Sequence, residues 1–387
     1  MKKLFFTFLF LAISITSKSQ VQLSVYSEIS IVTADAGNEL FEAFGHSAIR
    51  IKDPVLQLDL VYNYGIFDFN APNFYTNFTK GRLLYKLGKY QFKYFLESYK
   101  QDKRWVKQQV LNLTQQQRQA FFMYLERNAS PQNATYLYDP FFNNCASKLK
   151  DITTTILGDK VEFNDKEIEK ELSFRTLMNR EIHWNTWGGF GINLALGSKL
   201  DKNANLQQYM YLPDYVYTIF KNSTVYFKNQ KKPLVKKEEL LLDFPNRKQS
   251  LPLISPLLVF SIIALLGIFI TYRDNKNQKR TKWIDTILLI TTGLVGFLIV
   301  FLWFFTDHST TPNNFNVLWA FSPNLIIVFL LNKGKKWLST YFIFLIFLLV
   351  IITIIWITNI QHFPIAVIPL LILLFVRYLF LSKSFKL

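Results

Sequence analysis

Apolar and polar residues follow different patterns in the first and last parts of this chain. Up to residue 220, apolar positions either alternate in short runs or recur at helical spacing. Alternating runs separated by turn residues predict short strands of a mainly antiparallel sheet. The runs that fit strands are 21–32, 46–52, 58–64, 81–90, 104–113 and 134–138. Because helical segments fall irregularly among these strands, we predict an α+β domain.

Two helices of this domain have clear starts in the sequence. Thr114 and Gln117 form a capping box before a helical segment. Asn143 or Asn144 can cap another helix, and Cys145 would then lie in its first turn. Free backbone N–H groups and the positive end of the helix macrodipole then lie beside the sulfur. Both favour the thiolate over the thiol.

The last third of the chain is dominated by long apolar runs. Each has roughly the length that a bilayer span requires, and they cover residues 254–272, 284–305, 315–331, 337–358 and 365–381. Two of the connecting loops are basic, 273–282 with five Lys or Arg and 332–336 with three Lys, whereas 307–314 and 359–364 have none. The positive-inside rule puts the basic loops in the cytoplasm. We therefore predict an exported N-terminal domain and a cytoplasmic C-terminus.

The first residues have the pattern of a signal peptide. Two lysines precede an apolar stretch and a small-x-small site that ends near Ser19. This agrees with the exported domain predicted from the loop charges. The formal net charge is +17. For an exported chain this charge favours anionic phospholipid head groups as the partner and makes nucleic acid an unsuitable one.

Cys145 is the one cysteine in the sequence, and His46 is the histidine, among four, that lies in a strand-like segment. A strand histidine facing a cysteine at a helix N-terminus is the papain-type arrangement for acyl transfer. Here the histidine comes first, so the order is permuted. Backbone N–H groups at the helix start can form an oxyanion hole. Asn63, between Tyr62 and Tyr64 on the next strand, is our choice to orient His46, because a carboxamide oxygen accepts an imidazole N–H.

At the level of sequence, the same residues are also compatible with roles outside catalysis. A lone cysteine can be a small buried hydrophobe. His46, His183 and a carboxylate are conceivable metal ligands, but their spacing matches no known motif. The chain has no Gly-x-Ser-x-Gly elbow, no Walker A loop and no cysteine pair for zinc. We expect neither a metal nor a cofactor.

A series of short motifs is distributed along the chain. They are Phe44-Gly45-His46-Ser47-Ala48-Ile49-Arg50, Tyr62-Asn63-Tyr64-Gly65-Ile66-Phe67-Asp68-Phe69, Tyr138 through Asn144-Cys145, Ser173-Phe174-Arg175-Thr176-Leu177, Leu196-Gly197 to Asp201, Tyr211-Leu212-Pro213-Asp214, Asp307-His308 and Asn316-Val317-Leu318-Trp319. In these motifs the chain resembles the Lnb family, the lipoprotein N-acyltransferases of the Bacteroidetes. The resemblance extends over nearly the whole chain after the signal peptide. The Gly-His-Ser and Asn-Asn-Cys pieces are its most specific parts.

The resemblance implies a fold and an activity. The fold is a permuted papain-like exported domain, akin to the NlpC and lecithin:retinol acyltransferase group, followed by an all-α membrane domain of five transmembrane helices. The activity is acyl transfer from a phospholipid to the free α-amine of a lipoprotein's N-terminal cysteine. It makes Cys145 the nucleophile and His46 its base. We also predict substrate contacts for four residues of these motifs: Ser47, Tyr64, Asn144 and Arg175.

Together these patterns predict four parts of a multi-pass protein of the inner membrane. Residues 1–19 are the signal peptide, 20–220 the periplasmic catalytic domain, 221–252 a basic linker and 253–387 the membrane domain. Lifting an acyl chain out of the bilayer costs about 0.8 kcal/mol per CH₂, so a thiolate held at the membrane surface suits phospholipid-dependent acyl transfer. Two alternatives share the same residues: a cysteine hydrolase of peptidoglycan or lipid, and a non-catalytic binding domain.

Overall fold

The computed structural model describes residues 21–164, 166–168, 171–227, 230–247 and 251–386. The predicted signal peptide lies outside these residues. The described part consists of an N-terminal region with two antiparallel sheets and several helices, and a C-terminal region of long helices. Sheets and helices in the first region, and helices alone in the second, agree with the classes of structure that the sequence predicts.

The strands of the described residues form one large and one small sheet. They are β1 (Glu28–Ala34), β2 (His46–Asp53), β3 (Leu58–Ile66), β4 (Leu84–Gln91), β5 (Val106–Leu111), β6 (Thr135–Leu137), β7 (Val161–Glu162), β8 (Thr224–Phe227), β9 (Gln230–Pro233) and β10 (Val235–Leu242). The large sheet has the order β10-β5-β1-β2-β3-β4-β6, and the small one has the order β7-β8-β9. Neighbouring strands are antiparallel throughout both sheets.

Helices of the N-terminal region cover both faces of the large sheet. They are α1 (Phe74–Thr79), α2 (Phe92–Gln101), α3 (Gln115–Asn128), α4 (Cys145–Leu157), α5 (Phe174–Glu181), α6 (Trp187–Ala195), α7 (Leu206–Tyr209) and α8 (Pro213–Asn222). Successive side chains of a strand point to opposite faces. Accordingly, Ile49 and Ile51 of β2 belong to the core that contains α3 and α4, whereas Ala48 packs with Phe92 and Phe95 of α2. The predicted capping box of Thr114 and Gln117 is present at the start of α3.

The prediction that residues 221–252 are a linker is wrong, because half of this segment forms strands of the two sheets. It contributes β8, β9 and β10, and β10 pairs with β5 as an edge strand of the large sheet. Leu241 and Leu242 pack against the α2 side of the sheet. The lysines that gave the segment a linker-like composition lie at exposed positions of two edge strands, β9 of the small sheet and β10 of the large one. Lysine there discourages pairing with another chain.

Four helices of the described C-terminal region are long and apolar enough to span a membrane: Pro256–Asn277 (α9), Lys282–Phe304 (α10), Trp337–Ile357 (α12) and Ile365–Ser384, whose α-helical part is Ile368–Ser384 (α13). They match four of the five predicted runs. The third predicted run, 315–331, is not a continuous helix. It contains a 3₁₀ turn at Phe315–Leu318, a short helix α11 (Asn324–Ile327) and a second 3₁₀ segment, Val328–Lys333. Four of the five predicted spans are therefore long continuous helices, and the remaining predicted span is this interrupted segment.

The interrupted segment is possible in a membrane region because one side of it is buried against protein. Pro323 interrupts the apolar run at its centre. A side chain at Gly296 would collide with the backbone of Ala320, so the segment lies directly against α10. The side-chain amide of Asn324 donates a hydrogen bond to Thr292 at 2.8 Å. This hydrogen bond satisfies a polar side chain that lipid would leave without a partner.

The interrupted segment still connects opposite ends of the helical region. Its N-terminal side follows the loop 307–314, which contacts the N-terminal domain. Its C-terminal side lies near the loop 273–282, since the Leu331 carbonyl accepts hydrogen bonds from Arg280 at 3.3 Å. At that end, the fully buried Arg377 of α13 pairs with Asp274 at 2.7 Å and with Asp285 at 2.6 Å. This ionic cluster joins α9, α10 and α13.

Candidate active site

His46 lies where the pairing between β2 and β3 stops. The register runs from Asp53 opposite Leu58 to Ile49 opposite Tyr62, and it includes no partner on β3 for the first three residues of β2. The β3–β4 register then shifts between Asn63 and Ile66. Gly65, inside this shift, has φ +95°, which a residue with a side chain rarely adopts. The bend opens a gap beside the start of β2.

Asn63 holds the imidazole of His46 in one orientation. Its Oδ1 lies 2.6 Å from His46 Nε2, and its Nδ2 donates to the hydroxyl of Tyr90 at 2.9 Å. Because the Tyr90 contact uses the NH₂ end of the carboxamide, the oxygen faces the histidine and accepts its Nε2–H. This leaves the other ring nitrogen for the hydrogen bond with Cys145. The structure thus brings together the three side chains predicted as catalytic.

Cys145 is the first residue of α4, and Asn144 is the N-cap. Asn144 Oδ1 accepts hydrogen bonds from the amides of Ala146 at 3.0 Å and Ser147 at 2.9 Å, and Ser147 Oγ accepts one from the Asn144 amide at 2.8 Å. The Asn144 Nδ2 donates to the carbonyl of Tyr211 at 2.8 Å. These bonds fix the first turn of the helix and hold the sulfur in the gap between β2 and β3.

The pKa shifts of Cys145 and His46 both favour a thiolate–imidazolium pair. Burial raises the pKa of the Cys145 thiol, but His46 and the amides of Ser47 and Ala146 lower it to below its ordinary value. Burial lowers the pKa of His46, whereas Cys145 and Asn63 raise it to above its ordinary value. Opposite charges in contact favour the charged form of both partners. When both groups are charged, the thiolate is the nucleophile and the imidazolium is the proton donor at the same pH.

Two of the predicted substrate contacts, Ser47 and Tyr64, have buried side chains, and Ser47 reaches the sulfur through its backbone only. The Ser47 side chain is fully buried, and its hydroxyl has no hydrogen-bond partner among the described residues. It is the backbone amide of Ser47 that contacts Cys145. Tyr64 is also buried, and its ring packs on Tyr136 at 5.9 Å. Neither side chain has an open path to solvent.

The other two predicted substrate contacts belong to the framework. Asn144 uses its side chain for the helix cap described above. Arg175 is buried and bonded to Asp201 at 3.0 Å, to Asn193 at 3.1 Å and to the carbonyl of Gly197 at 2.9 Å. With these donors occupied by protein, Arg175 has none to offer a ligand. The structure therefore argues against the predicted binding role of both residues.

Sequence reasoning missed three residues that shape the site. A side chain at Gly65 would lie 3.9 Å from Cys145 Cβ and 3.6 Å from the Tyr138 ring, so this glycine borders the sulfur. Tyr90, on β4, accepts a hydrogen bond from Asn63 and so fixes the orientation of its carboxamide. Tyr138 belonged to a motif, but its position could not be inferred. A glycine just after a run of strand residues is the one signal that sequence offered.

The membrane region also contacts the loop that leads to Cys145. The side-chain carboxylate of Asp139 accepts hydrogen bonds from the amides of Phe141 at 2.9 Å and Phe142 at 3.0 Å, and from the hydroxyl of Ser309. Nearby, the Gly197 amide donates to the carbonyl of Thr310 at 2.9 Å. The nucleophile loop is thus attached to the loop that follows α10.

A second membrane loop, 359–364, makes the same kind of contact. His362 donates its backbone amide to Asp201 at 3.0 Å, and its ring nitrogen Nδ1 lies 2.9 Å from the same carboxylate oxygen. Both loops that lack Lys and Arg therefore touch the N-terminal domain. They lie on the same side of the helical region, as the loop charges predict.

The fold and the site define a multi-pass membrane protein with a cysteine–histidine pair in the domain outside the membrane. Residues 18–180 match the family model of the Lnb N-terminal periplasmic domain, and residues 246–386 match that of the Lnb transmembrane domain, whose name specifies five transmembrane helices (5TMH). The chain belongs to the Lnb family, and its N-terminal domain is periplasmic. No curated protein and no solved structure matches the chain significantly.

Proposed function

We propose that this protein is an acyltransferase of lipoprotein maturation. It would move a fatty acyl group from a phospholipid, through a Cys145 thioester, to the free α-amine of a lipoprotein's N-terminal cysteine. The observation that supports this most directly is the Cys145–His46–Asn63 arrangement in a periplasmic domain that is held against a membrane region. The order of these residues also supports assigning the permuted papain-like fold to residues 20–220, and we place the protein in the inner membrane.

The first half-reaction acylates the enzyme. The Cys145 thiolate attacks the ester carbonyl carbon of the phospholipid and forms a C–S bond. The amide of Ser47, already directed at the sulfur, is placed to stabilise the oxyanion. As the ester C–O bond breaks, the imidazolium of His46 gives its proton to the departing oxygen. The products are a thioester and a lysophospholipid.

The second half-reaction returns the enzyme to its starting state. The α-amine of the acceptor attacks the thioester carbonyl, and the C–S bond breaks to release the thiolate. His46, now neutral, takes the proton that the amine loses, so the thiolate–imidazolium pair is restored. Asn63 accepts the Nε2–H throughout and keeps the same ring nitrogen directed at the sulfur. No metal or cofactor is required for either step.

Intact mass measurement tests this mechanism directly. Purified protein is incubated with phospholipid vesicles and no acceptor, and Cys145 should gain the mass of one fatty acyl group, releasable by neutral hydroxylamine. A lipoprotein peptide with a free α-amine should discharge the adduct, and the same peptide with an acetylated amine should not. Cys145→Ser and His46→Ala should form no adduct, because the nucleophile and its base act together. Asn63→Ala should form it about tenfold more slowly, since a buried hydrogen bond to a charged ring is lost.

The outcomes separate the possible functions. Rapid loss of the adduct as free fatty acid, unchanged by the peptide, would identify a hydrolase. No adduct with any phospholipid would refute the thioester mechanism. In cells that lack this protein, lipoproteins should accumulate in a diacyl form in place of the triacyl form, and normal triacylation would exclude the proposed role.

A further inference from the structure

Five phenylalanines form a contiguous cluster at the end of the large sheet where His46 lies. One comes from the connection between β1 and β2, and four come from the connection between β3 and β4 that contains α1. We call this cluster the aromatic patch: Phe41, Phe67, Phe69, Phe74 and Phe78. Ring centroids are 5.6 Å apart for Phe41 and Phe67, 4.9 Å for Phe67 and Phe69, 5.2 Å for Phe69 and Phe74, and 6.1 Å for Phe74 and Phe78.

The outer part of the aromatic patch faces away from the protein. The exposed fractions are 57% for Phe41, 48% for Phe69 and 49% for Phe78, and the adjacent Tyr75 is 69% exposed. A cluster of exposed aromatic side chains in one place is unusual for a surface that faces water, and it marks a binding or membrane-contact surface. Scattered single aromatics would need no such explanation.

The inner part of the aromatic patch leads to the nucleophile. Phe67 lies 4.9 Å from the ring of Tyr85, and Tyr85 stacks on Tyr138 at 4.4 Å. Tyr138 in turn borders Gly65, where an added side chain would lie 3.9 Å from Cys145 Cβ. A nearly continuous row of aromatic rings therefore runs from the exposed phenylalanines to the neighbourhood of the sulfur.

One edge of the aromatic patch is attached to the periplasmic end of the second span. The helix α1, which carries Phe74 and Phe78, ends at Thr79, and the carbonyl of the next residue, Lys80, accepts a hydrogen bond from the Asp307 amide at 2.8 Å. Asp307 is three residues beyond the end of α10 at Phe304. The exposed rings of α1 therefore lie close to the level at which this span leaves the bilayer.

The opposite edge is attached to the periplasmic end of the first span. A side chain at Gly188 would collide with Leu40, the neighbour of Phe41 in sequence. The adjacent Trp187 donates from its indole N–H to the carbonyl of Ile254 at 2.9 Å and packs on Phe260 of α9 at 5.8 Å. The aromatic patch thus lies between the periplasmic ends of two spans, where tryptophan and other aromatic residues favour the membrane interface.

From these observations we propose that the aromatic patch inserts into the periplasmic leaflet and takes up an acyl chain of the phospholipid donor. The chain would lie along Phe69, Phe67 and Tyr85, with its ester directed towards Cys145. This inference rests on the proposed function, because it assigns a binding surface for the donor of the same reaction. This path would let an acyl chain reach the sulfur without entering water. Exposure to water would cost about 0.8 kcal/mol for each CH₂ group of the chain.

Membrane insertion can be measured without any catalysis. The Cys145→Ala protein has no cysteine, so single cysteines introduced as Phe69→Cys and Phe78→Cys can carry a nitroxide label. Tyr26→Cys is the matched control, because Tyr26 is 69% exposed and precedes β1 at the end of the sheet away from His46. In phosphatidylethanolamine vesicles, labels at positions 69 and 78 should be relaxed more by oxygen than by a water-soluble nickel chelate. The label at position 26 should show the reverse, and a water-like response at positions 69 and 78 would overturn the insertion.

Donor uptake is measured by the rate of Cys145 acylation from vesicles in the absence of acceptor. The double variant Phe69→Ser/Phe78→Ser should acylate about tenfold more slowly than wild type, whereas Tyr26→Ser should be unchanged. With a water-soluble short-chain ester as donor, all three proteins should acylate equally, which shows that folding and the thiolate are intact.

The two claims fail in different ways. If wild type forms no adduct from phospholipid, the proposed function fails. If wild type forms the adduct and the double variant matches Tyr26→Ser, the proposed function stands and the donor surface is refuted. If donor acylation is unchanged but transfer to a diacylated lipoprotein peptide falls, the aromatic patch binds the acceptor's lipid instead, and the donor assignment is wrong.

Discussion

The hydroxyl of Ser309, in the loop after the second span, donates a hydrogen bond to the carboxylate of Asp139, three residues before the segment Phe142-Asn143-Asn144-Cys145. The same carboxylate accepts the amides of Phe141 and Phe142. The membrane region thereby supports the conformation of the loop that presents the nucleophile. This contact with the nucleophile loop comes from outside the periplasmic domain.

Ser309→Ala should slow Cys145 acylation about tenfold, because a hydrogen bond to a charged carboxylate is worth about 1.5–3 kcal/mol. The slower rate should appear with a soluble short-chain ester as well as with vesicles, since the loop itself is affected. Ser384→Ala, at the far end of α13, is the matched control: its hydroxyl bonds to its own helix at 3.0 Å. Equal acylation rates for the two variants would show that the Asp139 contact does not position the nucleophile.

The reactivity of Cys145 should persist to lower pH than that of an ordinary thiol. Its pKa is lowered by His46 and by backbone amides, so the midpoint of alkylation by iodoacetamide should lie at lower pH than that of an exposed model thiol. His46→Ala removes the charge that lowers this pKa and leaves the burial that raises it. The midpoint of the alkylation profile should therefore move to higher pH, and a midpoint that stays in place would show that no ion pair forms.

The acylation rate should follow a bell-shaped pH profile. On the acid side, activity is lost as the thiolate gains a proton, at a pH below the ordinary thiol range. On the alkaline side, it is lost as His46 gives up the proton that the leaving oxygen needs, at a pH above the ordinary histidine value of about 6.5. Acylation that rises steadily up to pH 10 would indicate that His46 is not the proton donor.

Gly65→Ala should impair the site and Gly158→Ala should not. Both glycines have positive φ, +95° and +56°, so alanine at either position strains the backbone by about 1–3 kcal/mol and lowers Tm. Only Gly65 borders Cys145, because nothing lies within 4 Å of the position that a side chain at Gly158 would occupy. Thermal unfolding in detergent should show similar losses of Tm. If acylation fell equally in both, strain and not the site would be responsible.

Labelling should show five crossings despite four long helices. In the Cys145→Ala background, a maleimide reagent that does not cross the inner membrane should label Asn359→Cys in intact spheroplasts. It should not label Lys279→Cys or Lys335→Cys, although all three positions are exposed. The result at position 335 tests whether the interrupted segment crosses the membrane. Labelling of Lys335→Cys from outside would mean that the segment 315–333 returns to the periplasmic side without crossing.

The sequence was informative where a property depends on neighbouring residues. The apolar runs and the loop charges identified four helices, and the loops without Lys or Arg are the ones that contact the periplasmic domain. The cap at Asn144 and the box at Thr114 were also predictable, because helix starts depend on side chains within three positions. The segment 221–252 was misjudged because an exposed edge strand can have the composition of a linker.

Contacts between residues far apart in the chain settle the remaining features. The sequence by itself determined a membrane protein with a cysteine at a helix start and a histidine in a strand. Tertiary structure decided that β3 bends at Gly65 to admit the sulfur, that Asn63 faces His46, and that Ser309 contacts Asp139. Strand register decides which side chains share a face, and the packing of distant segments decides which polar groups meet. Neither strand register nor the packing of distant segments can be predicted from a local sequence pattern. The arrangement of the site was therefore known only from the tertiary structure.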